Sequence, residues 1–479
     1  MSTIQFPSAY PVTAHTDFVG QGSTFVAMHG AKFDGASFIA LALQKGAKKI
    51  VVQIDSLLSP DTKQLILQHH AELEYVSDCR QALAEQAAQA LNFPAKKLKI
   101  IAVTGTKGKT STAYMAYHML YAAGKAVALI STVEKRIGAD IVDIPLTTPQ
   151  PDQIHMFLHL CVERNIEFVV MEVSAQALTL HRVNGIEFEA GVFTNFSHEH
   201  LEFYKDMQQY FAAKKMLFAH IKNQKNMFVN IDDSYCLQLQ KEYPQASSFS
   251  LQNHQANVYG FVHREDKQNF VRVQMNNQEY DFFMPILGTF NVYNLLGVVS
   301  MLNALNIDLH SLKFGLQKLP HVPGRMEQYI LKNGAQCFID YAHNPSSYEA
   351  VLSTLRSMTS HLIVVFGAAG NRDKQKRPIM GALAQKYCDV VILTSDNPRD
   401  ENPIVIAQEV EAGFDQNIEF EFHKELNRVK AIELGCFLAK DHSIVAILGK
   451  GRDEYQIVGG LTFPFKERSI IRPYLKEND

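Results

Sequence analysis

The segment Val103-Thr104-Gly105-Thr106-Lys107-Gly108-Lys109-Thr110-Ser111 is the point where a hydrophobic run beginning at Leu98 meets a glycine-rich turn and then a helical pattern. Glycines at 105 and 108 let the backbone approach a polyphosphate and aim its N–H groups inward, and the helix opening at Thr110 adds its positive dipole end. Lys109 would neutralise the β- and γ-phosphates, and the Thr110 hydroxyl would hold Mg²⁺. Val103 stands where the full phosphate-loop pattern has its first glycine, so the competing reading is an ordinary strand-to-helix turn. The strand before and the uninterrupted helix after favour a nucleoside triphosphate.

Other chemistry-bearing residues follow apolar runs. Glu172 ends Phe168-Val169-Val170-Met171, where a carboxylate beside a phosphate loop suits Mg²⁺. The run Gly191–Phe196 ends in a polar cluster reaching His198, Glu199 and His200, in which His198-x-His200 lacks a third ligand at zinc spacing. Lys214 and Lys215 lie on a helical pattern and read from spacing alone as solvated cations. Asn291 and Asn294 share one face of a helix start, where they could cap it or grip a base. Further on, three Gly- or Pro-bearing polar loops follow successive runs: Gly367–Lys374, Asp396–Arg399 and Gly449–Glu454. Together they suit one pocket for a zwitterionic amino acid, although Arg372, Lys374, Lys376 and Arg377 could equally form a solvated loop.

The elements that must position these residues read as an α/β protein of three domains. Runs at Thr24–Met28, Ile50–Gln53 and Leu73–Val76 alternate with helical patterns at Phe38–Leu43 and Arg80–Leu91, giving a small domain over residues 1–96. Pro94-Ala95-Lys96-Lys97 reads as a linker into a central domain over 97–321. There, buried-strand candidates at Leu98–Val103, Ala126–Ile130, Phe168–Val173, Gly191–Phe196 and Met227–Ile231 predict a doubly wound parallel sheet with ligands at the strands' carboxyl ends. Alternation between Asn257 and Leu287 predicts an antiparallel meander added to it. After Pro320-His321-Val322-Pro323-Gly324, runs at Cys337–Asp340, Leu362–Phe366, Val390–Thr394, Glu419–Phe422 and Ile444–Leu448 predict a Rossmann-like third domain over 322–479.

The bulk properties exclude several classes. With 46 Lys+Arg against 49 Asp+Glu in 479 residues, nothing global favours nucleic acid or an anionic membrane, and small-molecule substrates are the expected partners. The six cysteines are scattered without a Cys-x-x-Cys pair and read as reduced core thiols. No apolar stretch approaches membrane-spanning length and Met1–Val19 lacks a signal pattern, so a cytoplasmic enzyme, expected as a monomer, fits best.

In this order the motifs resemble the Mur ligases, ATP-dependent amide-forming enzymes of peptidoglycan synthesis. The match is closest to the branch adding the third residue to UDP-MurNAc-L-Ala-D-Glu. It rests on Gly105–Ser111, Leu146–Pro149, Met171–Ser174, His181–Val183, Thr194–His200, Ala213-Lys214, Gly288–Asn294, Pro323–Arg325, Asp340–Pro345, Asp396–Arg399 and Gly449–Gly451. The resemblance implies that Gly105, Thr106, Lys107, Gly108, Lys109, Thr110 and Ser111 bind ATP, with Asn291, Asn294, Arg325 and Asp340 on the nucleoside and phosphates. It implies two Mg²⁺ sites completed by Glu172 and His200, and a carbamylated Lys214, so that Lys109, Lys214, His200 and Glu172 form the catalytic set. It further implies acceptor contacts from Thr147, Thr148, Ser174, Arg182 and Thr16, and amino-acid contacts from Arg372, Asp396, Asn397, Arg399, Gly449 and Asp453.

Family members with Asp-Asn-Pro-Arg at the 396–399 loop typically use meso-diaminopimelate, which makes Arg399 the expected specificity residue. This chain departs from the family at Thr16-Asp17, where Ser-Arg is usual, and at Arg452-Asp453, where His-Glu is usual. Those departures keep two alternatives in view, an L-lysine-adding variant and a Mur-type ligase acting on a different carboxylate.

Overall fold

A computed structural model describes residues 3–30, 34–198, 203–265 and 268–476, with only the backbone of Arg264 and Gln268. The chain divides into two compact units, Met1–Phe283 with Tyr293–Leu319, and Met284–Val292 with Pro320–Asp479.

The first unit contains two sheets. The smaller is parallel, in the order Val12–Thr13, Thr24–Val26, Lys49–Gln53 and Glu72–Val76. Its strand Lys-Ile-Val-Val-Gln buries three consecutive residues because helices cover both faces. Ile50 and Val52 pack with Ile39, Leu43 and Ile66, while Val51 packs with Cys79 and Leu83 of the helix Cys79–Ala90. Residues 94–97, read as a linker, are ordered by packing. They form a 3-10 turn whose Pro94 and Ala95 are buried, with Ala95 packed into the neighbouring core, and Phe93 enters it in the left-handed conformation.

The larger sheet has twelve strands among the described residues, in the order Thr3–Ile4, Asp140–Val142, Lys135–Ile137, Val127–Ile130, Phe168–Glu172, Lys99–Thr104, Ala190–Phe193, Met227–Asn230, Ser247–Ser250, Val258–Glu265, Gln268–Met275 and Gln278–Phe283. Its centre is parallel and almost fully buried, as the unbroken apolar runs predict. The expected meander is present as the last three strands, paired antiparallel. A second antiparallel addition, the hairpin 135–142, was not legible because its strands are only three residues long. The amino-terminal pair Thr3–Ile4 closes that edge, in parallel with Ile141 and Val142.

The second unit holds a six-stranded sheet ordered Glu327–Ile330, Gln336–Asp340, Ile444–Leu448, Leu362–Phe366, Val390–Leu393 and Glu421–Lys424, parallel except at the first strand. The last strand begins two residues later than its composition suggests, with Glu421 opposite Val390. A two-stranded hairpin, Tyr455–Val458 with Leu461–Pro464, stands outside this sheet. Asp78, Asp206, Asp308, Asn344, Asn402 and Asn427 each accept a backbone N–H at a helix start, so short polar side chains set where the helices begin. All six cysteines are buried and unpaired. No helix among the described residues is long and apolar enough to cross a membrane.

Candidate functional site

The loop after Lys99–Thr104 has the geometry of a phosphate cradle. Gly105 (φ +138°) and Gly108 (φ +79°) adopt conformations costly to residues with a Cβ. They are also tight: a Cβ on Gly105 would strike Thr194 Oγ1, and one on Gly108 would strike Asn294 Oδ1. Asn195 fastens the loop from the next strand, its carbonyl accepting from Thr106 N (2.9 Å) and its Oδ1 from Lys107 N (2.9 Å). The helix Lys109–Ala122 begins here with Thr110 and Ser111 buried in its first turn. Lys109 Nζ donates to the carbonyls of Gly105 and Thr106, both at 2.9 Å.

Glu172 ends the strand beside this loop, with Val103 opposite it in register, and is fully buried. Its carboxylate accepts from Thr110 Oγ1 (3.1 Å), Thr132 N (2.7 Å) and Thr132 Oγ1 (3.1 Å). Sequence reasoning passed over Thr132, which nonetheless lies just beyond the carboxyl end of Val127–Ile130, the position inspected on the neighbouring strands. Lys214 is no solvated cation: it is 1 % exposed, donates to Gly105 O at 2.6 Å and lies 4.7 Å over the Tyr210 ring. Its neighbour Lys215 pairs with Glu242 at the surface, as expected of both. His200, with Glu199, lies outside the described residues.

Four of the expected acceptor residues come together next to Glu172. Thr148 Oγ1 donates to Glu172 O (2.9 Å) and accepts from Ser174 N (3.1 Å), while the Thr147 and Thr132 hydroxyls lie 3.0 Å apart. Arg182 donates to Thr148 O (2.9 Å), and burial pulls its guanidinium below the usual arginine value. Its Nε is buried without a hydrogen-bond partner among the described residues, a donor that an anionic ligand could satisfy. Thr16 is elsewhere in the unit, in the 3-10 turn Thr16–Phe18, its carbonyl accepting from Lys45 Nζ (2.9 Å). Asp17 in the same turn lies 3.8 Å from that ammonium, so this acidic position has a cation beside it.

In the second unit, Asn291 Nδ2 donates to Leu287 O (2.7 Å), and Arg325 lies 4.5 Å over the Tyr341 ring. Asp340 uses both carboxylate oxygens on backbone, accepting from Met326 N and Ala342 N at 2.7 Å each, and burial pushes its pKa up. The loop 396–399 and residues 449–453 are brought together: Lys450 Nζ donates to Asn397 Oδ1 (2.8 Å) and lies 3.2 Å from Asp396 Oδ1, off the line a hydrogen bond requires. A Cβ on Gly449 would come within 3.0 Å of the same Asp396 carboxylate. Arg399 is half-buried, with Nη1 on Gly370 O (3.1 Å). Asp453 is half-buried and its carboxyl is pushed up by that burial. Arg372 is exposed on its loop, whereas Arg377, read with it as one basic cluster, is fully buried against Glu401 (2.9 and 3.1 Å), Glu409 and Ala369 O. That arginine is a brace of the fold.

Comparison with known proteins adds an independent line. Residues 103–302 match the Mur ligase middle domain and residues 324–451 the Mur ligase, glutamate ligase domain. The UDP-N-acetylmuramoyl-L-alanyl-D-glutamate–2,6-diaminopimelate ligase of Clostridium perfringens is 35% identical over 467 residues, 96% of this chain and 93% of that one. The enzyme of the same name from Aquifex aeolicus is 35% identical over 472 residues, 97% and 93% of the two chains. A solved structure of a ligase of that name superposes with a TM-score of 0.68 at 28% identity, over 97% of this chain and 94% of the other. A MurF ligase from Thermotoga maritima in complex with ADP shares the fold, with a TM-score of 0.65 at 17% identity over 93% and 94% of the chains. Through its middle and carboxyl-terminal domains, the chain belongs to the Mur ligase family of ATP-dependent ligases.

Proposed function

We propose that this chain adds meso-diaminopimelate to UDP-MurNAc-L-Ala-D-Glu, with ATP converted to ADP and phosphate, as a cytoplasmic step of peptidoglycan synthesis. Likeness over nearly the whole chain to ligases named for that reaction carries the reading. Residues 1–96 and Thr147, Thr148, Ser174 and Arg182 would hold the acceptor, residues 97–321 ATP, and residues 322–479 the amino acid.

The chemistry begins when the acceptor's carboxylate attacks the γ-phosphorus and ADP leaves. The amine of the amino acid then attacks the acyl carbon of the acylphosphate, and the tetrahedral intermediate collapses with loss of phosphate. Both steps concentrate negative charge, which Lys109 and the first-turn N–H groups of the helix Lys109–Ala122 would stabilise. The Thr110 hydroxyl and Glu172 carboxylate, 3.1 Å apart, are hard oxygen donors that fit Mg²⁺. Bound there, the ion would neutralise charge on the transferring phosphoryl group. A carbamate on Lys214 could keep its N–H on the Gly105 carbonyl while presenting two further oxygens. The guanidinium fork of Arg399 suits the second carboxylate of diaminopimelate.

The test is phosphate release from ATP with UDP-MurNAc-L-Ala-D-Glu, across meso-diaminopimelate, L-lysine, L-ornithine and no amino acid. Release with diaminopimelate alone is expected. Release with lysine instead would move the specificity argument from Arg399 to Asp453, and no release with any of them would point to a different acceptor at Thr16-Asp17.

A further inference from the structure

Arg399 holds a left-handed backbone (φ +55°), a conformation that a long side chain keeps only when its surroundings fix it. The hairpin strand Tyr455–Val458 supplies the constraint. Ile457 O accepts from Arg399 N (3.1 Å), Arg399 O accepts from Gly459 N (2.7 Å), Asn397 Oδ1 from Ile457 N (2.9 Å), and Asp396 O from Gln456 Nε2 (2.7 Å). The loop and the hairpin thus meet edge to edge, and both are bound by one side chain. Lys450 Nζ donates to Asn397 Oδ1 (2.8 Å) on the loop and to Tyr455 O (2.9 Å) on the hairpin, and pairs with Asp396.

We propose that Lys450 is a positioning residue for the amino-acid substrate, clamping the 396–399 loop to the hairpin so that the Arg399 guanidinium is presented in one orientation. This rests on the reading of Arg399 as the contact to the substrate's distal carboxylate. Lys450 is 1 % exposed, with two hydrogen bonds and one ion pair holding its ammonium, so it acts through the loop. Its charge is matched locally: Asp396 faces it, and Arg428 beneath is paired with Glu467 at 2.6 Å while donating to Leu448 O.

Lys450→Met should raise KM for diaminopimelate about tenfold, with kcat and the KM for ATP little changed. In the Arg399→Ala background the same substitution should add less than about twofold, because two residues acting through one contact are not additive. Equal rises in every KM, or independent multiplication of the two effects, would overturn the proposal. Lys450→Gln, which loses part of the bridge and leaves Asn397 in place, carries the same test should the methionine variant fail to fold. Amide exchange in the full-length protein separates this proposal from the reaction assigned above. If no amino acid in the panel supports turnover, Lys450→Met must still speed exchange at Arg399, Ile457 and Gly459. Unchanged exchange there would refute the clamp whatever the substrate.

Discussion

The ammonium groups of Lys109 and Lys214 converge on one oxygen, the carbonyl of Gly105, at 2.9 and 2.6 Å. One arrives from the helix that opens at the phosphate loop and the other from the helix Met207–Lys215, so the loop is gripped from two elements. The first two predictions concern that pair.

Lys109→Met removes the cation that the proposed reaction sets against the transferring phosphoryl group. Turnover should fall by about 100- to 1000-fold, the usual cost of losing one transition-state donor. Phosphate release at saturating ATP measures it, and a change confined to the KM for ATP would make Lys109 a binding residue only.

If Lys214 carries the proposed carbamate, Lys214→Ala should abolish turnover and regain part of it when short carboxylic acids are added, because a free acid can replace the lost carboxylate. Normal activity in the variant, or no response to added acids, would count against the carbamate. The same titration on the wild type is the control.

Glu172→Gln keeps an acceptor for Thr132 N but turns the oxygen beside Thr110 into an amide donor and removes the negative charge. The Mg²⁺ concentration for half-maximal turnover should rise several-fold while the melting temperature holds or increases, since a buried charge is gone. An unchanged Mg²⁺ titration would take Glu172 out of the metal site.

Arg399→Ala should raise KM for diaminopimelate by about tenfold or more with kcat nearly kept. The discriminating measurement repeats it with L-lysine, which lacks the second carboxylate. If the substitution weakens both amino acids alike, the guanidinium does not read that group.

His155 supplies a pH prediction. It is fully buried on the helix Pro151–Glu163, neither ring nitrogen has a hydrogen-bond partner among the described residues, and burial pulls it from 6.5 to about 4. Its folded value is depressed, so the unfolded chain takes up the proton first. The stability it contributes is full above about pH 6.5 and is lost as pH falls toward about 4, on the order of 3 kcal/mol in all. Urea unfolding at several pH values should show that loss, and His155→Leu should flatten it. Parallel curves for the two proteins would mean the imidazole is solvated.

The phosphate loop was legible because its chemistry is local: two glycines, a lysine and a hydroxyl within nine residues, between a strand and a helix. Strand ends were legible wherever burial on both faces left unbroken apolar runs, as at Phe168–Glu172 and Ile444–Leu448. Lys214 reads as a surface cation from its spacing, because its burial depends on the Gly105 carbonyl, more than a hundred residues away in sequence. The buried pair Arg428–Glu467 and the two backbone bonds at Asp340 were hidden for the same reason, their partners being supplied by the fold. The hairpin 455–464 went unseen because four-residue strands with exposed faces carry little pattern.

Thr3 and Ile4 form the edge strand beside Ile141 and Val142, and Thr13 Oγ1 donates to the buried Asp152 at 2.7 Å. On the ribosome Thr3 and Ile4 have no strand partner, and the Thr13 hydroxyl no carboxylate, until the segment 140–152 has been made. At roughly 5–20 residues per second that delay is on the order of ten seconds. The small sheet has all its strands by Val76 and can assemble early, but its amino-terminal flank must stay unpaired until the far hairpin emerges. The final docking of this flank is thereby tied to the rate of translation.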